Sequence, residues 1–269
     1  MSEAHYVCPV CGQNLEQEDR TYKCPAGHSF DIAKSGYVNL GRRQKPSGDN
    51  REMVKARTRF LEKGYYSKLK DELARITESI HPSVLVDIGC GQGYYTQALC
   101  ADEKYGFDLS KDALIHASKT DKSTHYALAS IYDLPLKDGS ADVLTSIFTP
   151  MPKDEAKRLV RPDGELIQVK PGANHLLELK ELLYDNVRLN DEAAEGIDGF
   201  ESADIQHLTW KQPVDDLWDL FEMTPYRYRT SSEGMARVQK ARQLDVTFDF
   251  LIIRRKRKEH DEHAAKREI

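Results

Sequence analysis

Two groups of residues have the types and spacing to do chemistry. The first is Cys8-x2-Cys11-x12-Cys24-x3-His28, which holds three of the five cysteines of the 269-residue chain. Each short spacing turns two side chains toward one point, and the segment between them closes the set. Three thiolates and one imidazole suit a zinc ion. Four protein ligands leave no position for water, so the expected ion is structural. His5 falls outside the pattern, and Cys90 and Cys100 read as packed thiols. The second group is D-x-G-x-G-x-G, formed by Asp87, Gly89, Gly91 and Gly93 at the end of the apolar run "SVLVDI". Glycines there let the backbone turn tightly and let a ligand lie against it. Asp108 ends the next apolar segment, seventeen residues after Gly91. A carboxylate in that place can accept from both hydroxyls of a ribose.

The elements around these groups are legible from periodicity. "EMVKARTRFLEKGYYSKLKDELARITESI" has helical spacing, with Gly64 breaking it into two helices and His81-Pro82 closing the second. Short strand-like and helix-like segments then alternate. "SVLVDIGC", "KYGFDLS", "THYALAS", "ADVLTSIFT" and "GELIQVKP" read as strands, while "YYTQALCAD", "DALIHASKT" and "KDEAKRLV" read as helices. Strands apolar on both faces and separated by helices predict a parallel sheet covered on both sides, an α/β fold. "NHLLELKELLYDNV" and "VDDLWDLFEM" follow as helices, and "FESADIQHLTW" and "LDVTFDFLIIRRK" as two final strands. The expected organisation is a zinc-binding module over 1–40, a basic helical connector over 41–82, the main domain over 83–260 and a charged tail over 261–269.

Composition bounds the alternatives. Hydrophobic residues make up 39% and charged residues 31%, and the net charge is −5, which fits a globular chain rather than a disordered one. No apolar run approaches the roughly 18 residues that a membrane span requires. "MSEAHYVCPVCG" has neither a basic start nor an apolar segment, so no signal peptide is expected, and bunched cysteines favour a reducing, cytoplasmic setting. Charge is unevenly spread: nine basic residues face three acidic ones between Lys34 and Lys63. Such a patch on an acidic protein suits a polyanion, with Arg42, Arg43, Lys45, Arg51, Arg57 and Arg59 as candidates for phosphates. The alternative is a solvated helix face.

The glycine turn resembles the S-adenosylmethionine site of class I (Rossmann-like) methyltransferases, where the glycine loop meets the methionine portion and the acid of the second strand holds the ribose. "ASIYDLPLKDGSADVLTSIF" adds to the resemblance and implies that Ser130 and Ile131 flank the adenine. The spacing is not the dinucleotide G-x-G-x-x-G, because Tyr94 stands at the third-glycine position. A dehydrogenase is the structural competitor.

Over essentially its full length the chain resembles the RlmA-type 23S ribosomal RNA guanine-N(1)-methyltransferases. The zinc-ligand pattern, "HSFDIAKSGYVNL", "RTRFLEKGYYSKL", "VDIGCGQGYYT", "KPGANHLLELK" and "MTPYRYR" carry the likeness. The resemblance implies methylation of a guanine in a hairpin loop of 23S ribosomal RNA near the peptide exit tunnel, by a zinc-containing homodimer. Two branches modify neighbouring guanines, and one of them is linked to macrolide resistance. It also implies donor contacts from Tyr66, Gly91, Gln92, and His175 or Asn174. Tyr66 could equally pack the helix break, and His175 could be an exposed helix-terminal residue.

Guanine N(1) carries a proton and must lose it before attacking a methyl group. The sequence singles out no general base. In "FTPMP", Phe148 could stack a base and Thr149 could hydrogen-bond it, although Phe148 suits a core position as well. A target in a hairpin would be read by loop shape, stacking and phosphate contacts, with the base swung out of its stack. Two other functions stay open at this point: methylation of a small molecule, and a zinc-stabilised binding module with a vestigial donor site.

Overall fold

In β5 (Val84–Ile88) every residue is buried, so both faces of the strand must be covered. β6 (Glu103–Asp108) and β8 (Ala141–Ile147) flank it in parallel register, pairing Asp87 with Gly106 and with Thr145. The computed structural model describes residues 6–41 and 51–259. His5, Arg42, Arg43, Lys45 and the 261–269 tail lie outside the described residues. Outward from β6 come β7 (Thr124–Leu128) and the short β4 (Val38–Asn39). Outward from β8 come β9 (Val160–Pro171), β11 (Leu244–Lys256) and β10 (Asp204–Val214). The order β10-β11-β9-β8-β5-β6-β7-β4 makes one eight-stranded sheet. It is parallel from β4 to β9, whereas β11 runs antiparallel to β9 and β10 antiparallel to β11. The expectation of a wholly parallel sheet is corrected at this edge, and the class I methyltransferase architecture stands. From β5 the chain moves outward through β6 to β7, then crosses back to β8 on the other side of β5. A ligand crevice belongs at that reversal, beyond the carboxyl end of β5.

Helices α1 (Arg51–Glu62) and α2 (Ser67–Ile80) form as the periodicity predicts, with Gly64 at φ 84° between them and His81 left-handed at the end of α2. α3 (Lys111–Thr120) is capped by Ser110, whose hydroxyl accepts from the Ala113 N–H. α4 (Lys153–Leu159), α5 (Leu177–Leu183) and α6 (Leu217–Glu222) also match the pattern, and α7 (Ser232–Lys240) is an addition to it. "YYTQALCAD" does not become an α-helix and makes only a 3-10 turn over Thr96–Ala98. The reason is local. The buried Lys104 ammonium takes the Thr96 and Gln97 carbonyls at 3.1 and 3.3 Å, and the Cys100 N–H donates to Thr77 Oγ1 at 3.0 Å. The groups that would extend the helix are already satisfied elsewhere.

The front of the chain is an antiparallel meander of β1 (Glu16–Glu18), β2 (Thr21–Lys23) and β3 (Ser29–Asp31). Its core is continuous with one face of the large sheet. Tyr6 is fully buried, edge-on to Tyr105 and Tyr22 with centroids 5.3 Å apart in each case, and its hydroxyl donates to the His125 carbonyl. Cys8, Leu15 and Tyr22 share a cluster with Val86, Ile88 and Phe107.

Candidate donor cavity and metal centre

Each knuckle of the front module turns through a glycine. The Gly12 N–H returns to the Cys8 carbonyl and the Gly27 N–H to the Cys24 carbonyl, with φ of 73° and 84°. These turns bring the four side chains together. His28 Nδ1 lies 3.6 Å from Cys8 Sγ and 3.4 Å from Cys24 Sγ, and Cys11 Sγ lies 3.7 Å from Cys24 Sγ. All four ligand atoms fall within 4.8 Å of one another. Zinc–sulfur bonds of about 2.3 Å and zinc–nitrogen bonds of about 2.0 Å give a tetrahedron with edges of about 3.5–3.8 Å. The donor set fits a closed structural zinc.

The second centre is a cavity of about 730 Å³ beyond the ends of β5 and β8. Its floor is the glycine turn, and the three glycines there differ. A Cβ on Gly89 (φ 68°) would lie 2.2 Å from Thr149 Oγ1, and one on Gly93 (φ 78°) 2.6 Å from the Tyr126 hydroxyl oxygen. A Cβ on Gly91 (φ 54°) would meet nothing within 4 Å among the described residues, its own chain neighbours aside. Gly89 and Gly93 pack the turn, and Gly91 faces open space. Asp87 supports the turn from beneath. Its carboxylate accepts from Thr96 Oγ1 at 2.6 Å and Thr145 Oγ1 at 2.7 Å, while burial pushes it up to about 6 against those two donors. Asp108 lines the cavity, accepting from the Gly91 N–H at 2.8 Å and the Ser110 N–H at 2.7 Å. Carboxylate oxygens have further lone pairs with which to accept from hydroxyls.

Several cavity-lining groups lack partners. Gln92 Nε2 and the Tyr95 hydroxyl are buried with no hydrogen-bond partner among the described residues. An unpaired buried polar group costs about 1–3 kcal/mol, a penalty that a polar ligand would remove. The cavity, the space beside Gly91 and the orphan amide together fit a nucleoside-bearing ligand.

On the opposite wall, His175 is buried and its Nδ1 accepts from the Asp249 N–H at 3.3 Å. The ring proton of the neutral form therefore sits on Nε2, 3.2 Å from the Tyr66 hydroxyl. Burial, followed by the nearby Lys180 ammonium, holds the His175 imidazole down to about 3. Burial keeps the Tyr66 phenol far above its usual range. Both groups are neutral donors across the physiological range. Phe148, at φ 56° and 42% exposed, stands above them, its ring nearly parallel to His175 at 6.4 Å. A non-glycine left-handed residue at a cavity mouth is a common mark of a functional site.

The family profile for an RlmA N-terminal zinc ribbon matches residues 6–44, and a general methyltransferase-domain profile matches residues 86–168. A Streptomyces fradiae protein named 23S rRNA (guanine(748)-N(1))-methyltransferase is 38% identical over 65% of this chain and 66% of its own length. A Bacillus subtilis protein, named provisionally as a 23S rRNA (guanine-N(1)-)-methyltransferase, is 30% identical over 92% of this chain and 95% of its own. The chain belongs to the 23S ribosomal RNA guanine-N(1)-methyltransferase family.

In this methyltransferase the donor is S-adenosylmethionine, and the zinc ribbon is its N-terminal part. Of the residues expected at the donor site, Tyr66, Asp87, Gly89, Gly91, Gln92, Asp108 and His175 line one cavity. Gly93 packs behind the turn, and Asn174 is exposed away from the cavity, its N–H donating to Asp249. Ser130 and Ile131 are likewise not among the lining residues. Arg57 lines the cavity, and its Nη2 donates to the Met223 carbonyl at 3.3 Å. Arg59 is gripped by both oxygens of Asp219, and Arg51 is exposed at the start of α1. Sequence reasoning missed Tyr95, Gln168, Asn190 and Tyr226 as lining residues. For Tyr226 the signal lies in "MTPYRYR", one of the segments that carry the family likeness.

Proposed function

We propose that the chain transfers the methyl group of S-adenosylmethionine to N(1) of a guanine in a hairpin loop of 23S ribosomal RNA. The observation that carries the reading is the cavity, where open space beside Gly91, the unpaired Gln92 amide and the Asp108 carboxylate meet below the exposed Phe148 ring. The donor supplies an electrophilic methyl on a sulfonium. Asp108 accepts from ribose hydroxyls, and Gly91 lets the ligand approach the backbone. Tyr66, backed by the His175 Nε2–H, offers its hydroxyl hydrogen to the carboxylate of the methionine portion. Phe148 stacks the guanine and holds N(1) in line, the arrangement on which displacement depends.

The proton on N(1) must leave first. Among the described lining residues the carboxylates are Asp87 and Asp108, both engaged at the glycine turn, and His175 Nδ1 is occupied by a backbone N–H. In this reading the proton passes to water at the open mouth, so the rate follows guanine deprotonation and shows no histidine inflection near neutral pH. The chain acts as a cytoplasmic homodimer, and guanine 748, for which the Streptomyces fradiae relative is named, is the first target to examine. No described helix is long and apolar enough to cross a membrane.

Incubation of the purified chain with radiolabelled donor and either 23S ribosomal RNA or a metabolite extract tests the reading. Label should enter the RNA. Label found only in the metabolite pool would replace it with small-molecule methylation, which the same cavity could also serve.

A further inference from the structure

The turn that follows α6 has a composition and a position that the reaction so far leaves unused. Residues Pro225–Tyr228 form a single 3-10 turn, "PYRY", with Arg229 directly after it. Pro225 and Tyr226 line the donor cavity. Tyr228, two residues on, is 61% exposed. Its hydroxyl lies 3.0 Å from Met53 Sδ in α1, and one helical turn further along α1 Arg57 lines the cavity. The turn and α1 therefore share the cavity's edge.

The two arginines of the turn are held differently. Arg227 is anchored: its Nε donates to both oxygens of Glu222 at 2.8 and 3.0 Å, and Nη1 approaches Met235 Sδ at 3.5 Å. Arg229 is exposed, and its guanidinium has no carboxylate partner among the described residues. It caps the turn directly, its N–H donating to the Tyr226 carbonyl at 2.9 Å, one residue beyond the exposed Tyr228. Thr230 fixes the turn from the other side, its Oγ1 donating to the Tyr226 carbonyl at 2.8 Å. A rigid turn thus carries an exposed aromatic face and an exposed cation beside the mouth.

We propose that this turn is a nucleotide-binding rim: Tyr228 stacks an unpaired base next to the target guanine, and Arg229 meets the phosphate beside it. Single-stranded RNA is recognised through such stacking on aromatic rings, with arginine on the backbone. The partner is a hairpin loop rather than a duplex, because one exposed ring needs a base that is already unstacked. The inference rests on the RNA methyltransferase reading given above.

The test uses the full chain and an RNA hairpin transcript that the wild-type chain methylates, with RNA affinity followed by anisotropy across a salt series. Tyr228→Ala should weaken RNA binding about ten-fold and leave its salt slope unchanged, because a stacked base carries no counterion term. Arg229→Gln should lower the slope of log affinity against log salt by about 0.7, the value for one phosphate of a single strand. Tyr228→Phe should keep wild-type affinity, since it retains the ring. Donor binding should be the same in all three. If Tyr228→Ala and Arg229→Gln bind and methylate the hairpin like the wild type, the rim is overturned while the enzyme's function stands. If the wild-type chain methylates no ribosomal RNA, the functional reading itself has failed.

Discussion

The zinc-ligand cluster of the front meander and the glycine cavity of the large sheet are both small polar centres, yet they are finished in opposite ways. At the front, three sulfurs and one imidazole nitrogen close on a single point within 4.8 Å, and the strands around them share the sheet's core. At the cavity, polar atoms are buried and left unpaired, and Gly91 borders empty space. A site completed by its own ligands holds structure. A site left incomplete waits for a partner, and the difference can be broken or sharpened by experiment.

Zinc removal has the largest expected effect. Cys24→Ser should abolish bound zinc, read as metal per chain by mass spectrometry, and should melt far below the wild type. Structural zinc is worth roughly 10 kcal/mol or more where a fold depends on it. The ribbon also buries Tyr6 against the sheet, so the loss should spread into the main domain.

The two glycines form the next contrast. Gly89→Ala forces a Cβ onto Thr149, and it should lose several kcal/mol of stability together with donor binding. Gly91→Ala meets no protein atom, so its stability cost should be about 1–2 kcal/mol, from the left-handed backbone alone. Its donor affinity, measured by calorimetry, should still collapse. Equal losses of stability in the two variants would remove the distinction between packing glycine and contact glycine.

Much of this contrast was legible in the sequence, and the illegible part has physical causes. The metal set could be read because ligand spacing is itself the geometry, and the glycine turn because few other residues take φ above zero. The failed helix at "YYTQALCAD" depended on Lys104 and Thr77, which reach it through the fold rather than along the chain. The antiparallel edge was hidden because β11 carries the run Phe250–Ile253, apolar and buried on both faces just as a parallel strand is. The choice between Asn174 and His175 turned on Asp249, whose N–H donates to His175 Nδ1 and whose carboxylate takes the Asn174 N–H, and nothing in "GANH" announces it. Tyr66 and His175 lie 109 residues apart, and only the tertiary fold joins them.

Acid should separate the two walls of the cavity with a smaller effect. The His175 imidazole is held down to about 3 against an ordinary value of about 6.5. Between those values the unfolded chain binds a proton that the fold refuses, so stability falls as pH drops below about 6.5. Asp87, held up to about 6, works the other way, because the fold takes a proton that the unfolded chain releases down to about 3.9. Denaturant melts between pH 4 and 7 should therefore give a shallower acid loss for His175→Gln and a steeper one for Asp87→Asn. Identical slopes would count against the buried neutral imidazole.

The smallest effect falls on Gln92. Gln92→Met keeps the volume and removes an amide that has no partner, so the melting temperature should stay level or rise slightly. Donor affinity should drop by about ten-fold, the loss of one hydrogen bond.

The most direct measurement is primer extension on 23S ribosomal RNA after treatment with the chain and its donor. A methyl on N(1) blocks the pairing face of guanine, so the account predicts one new strong stop, next to a single guanine in a hairpin loop. RNA that takes up the methyl group but gives no stop, or a stop at any other base, would contradict it.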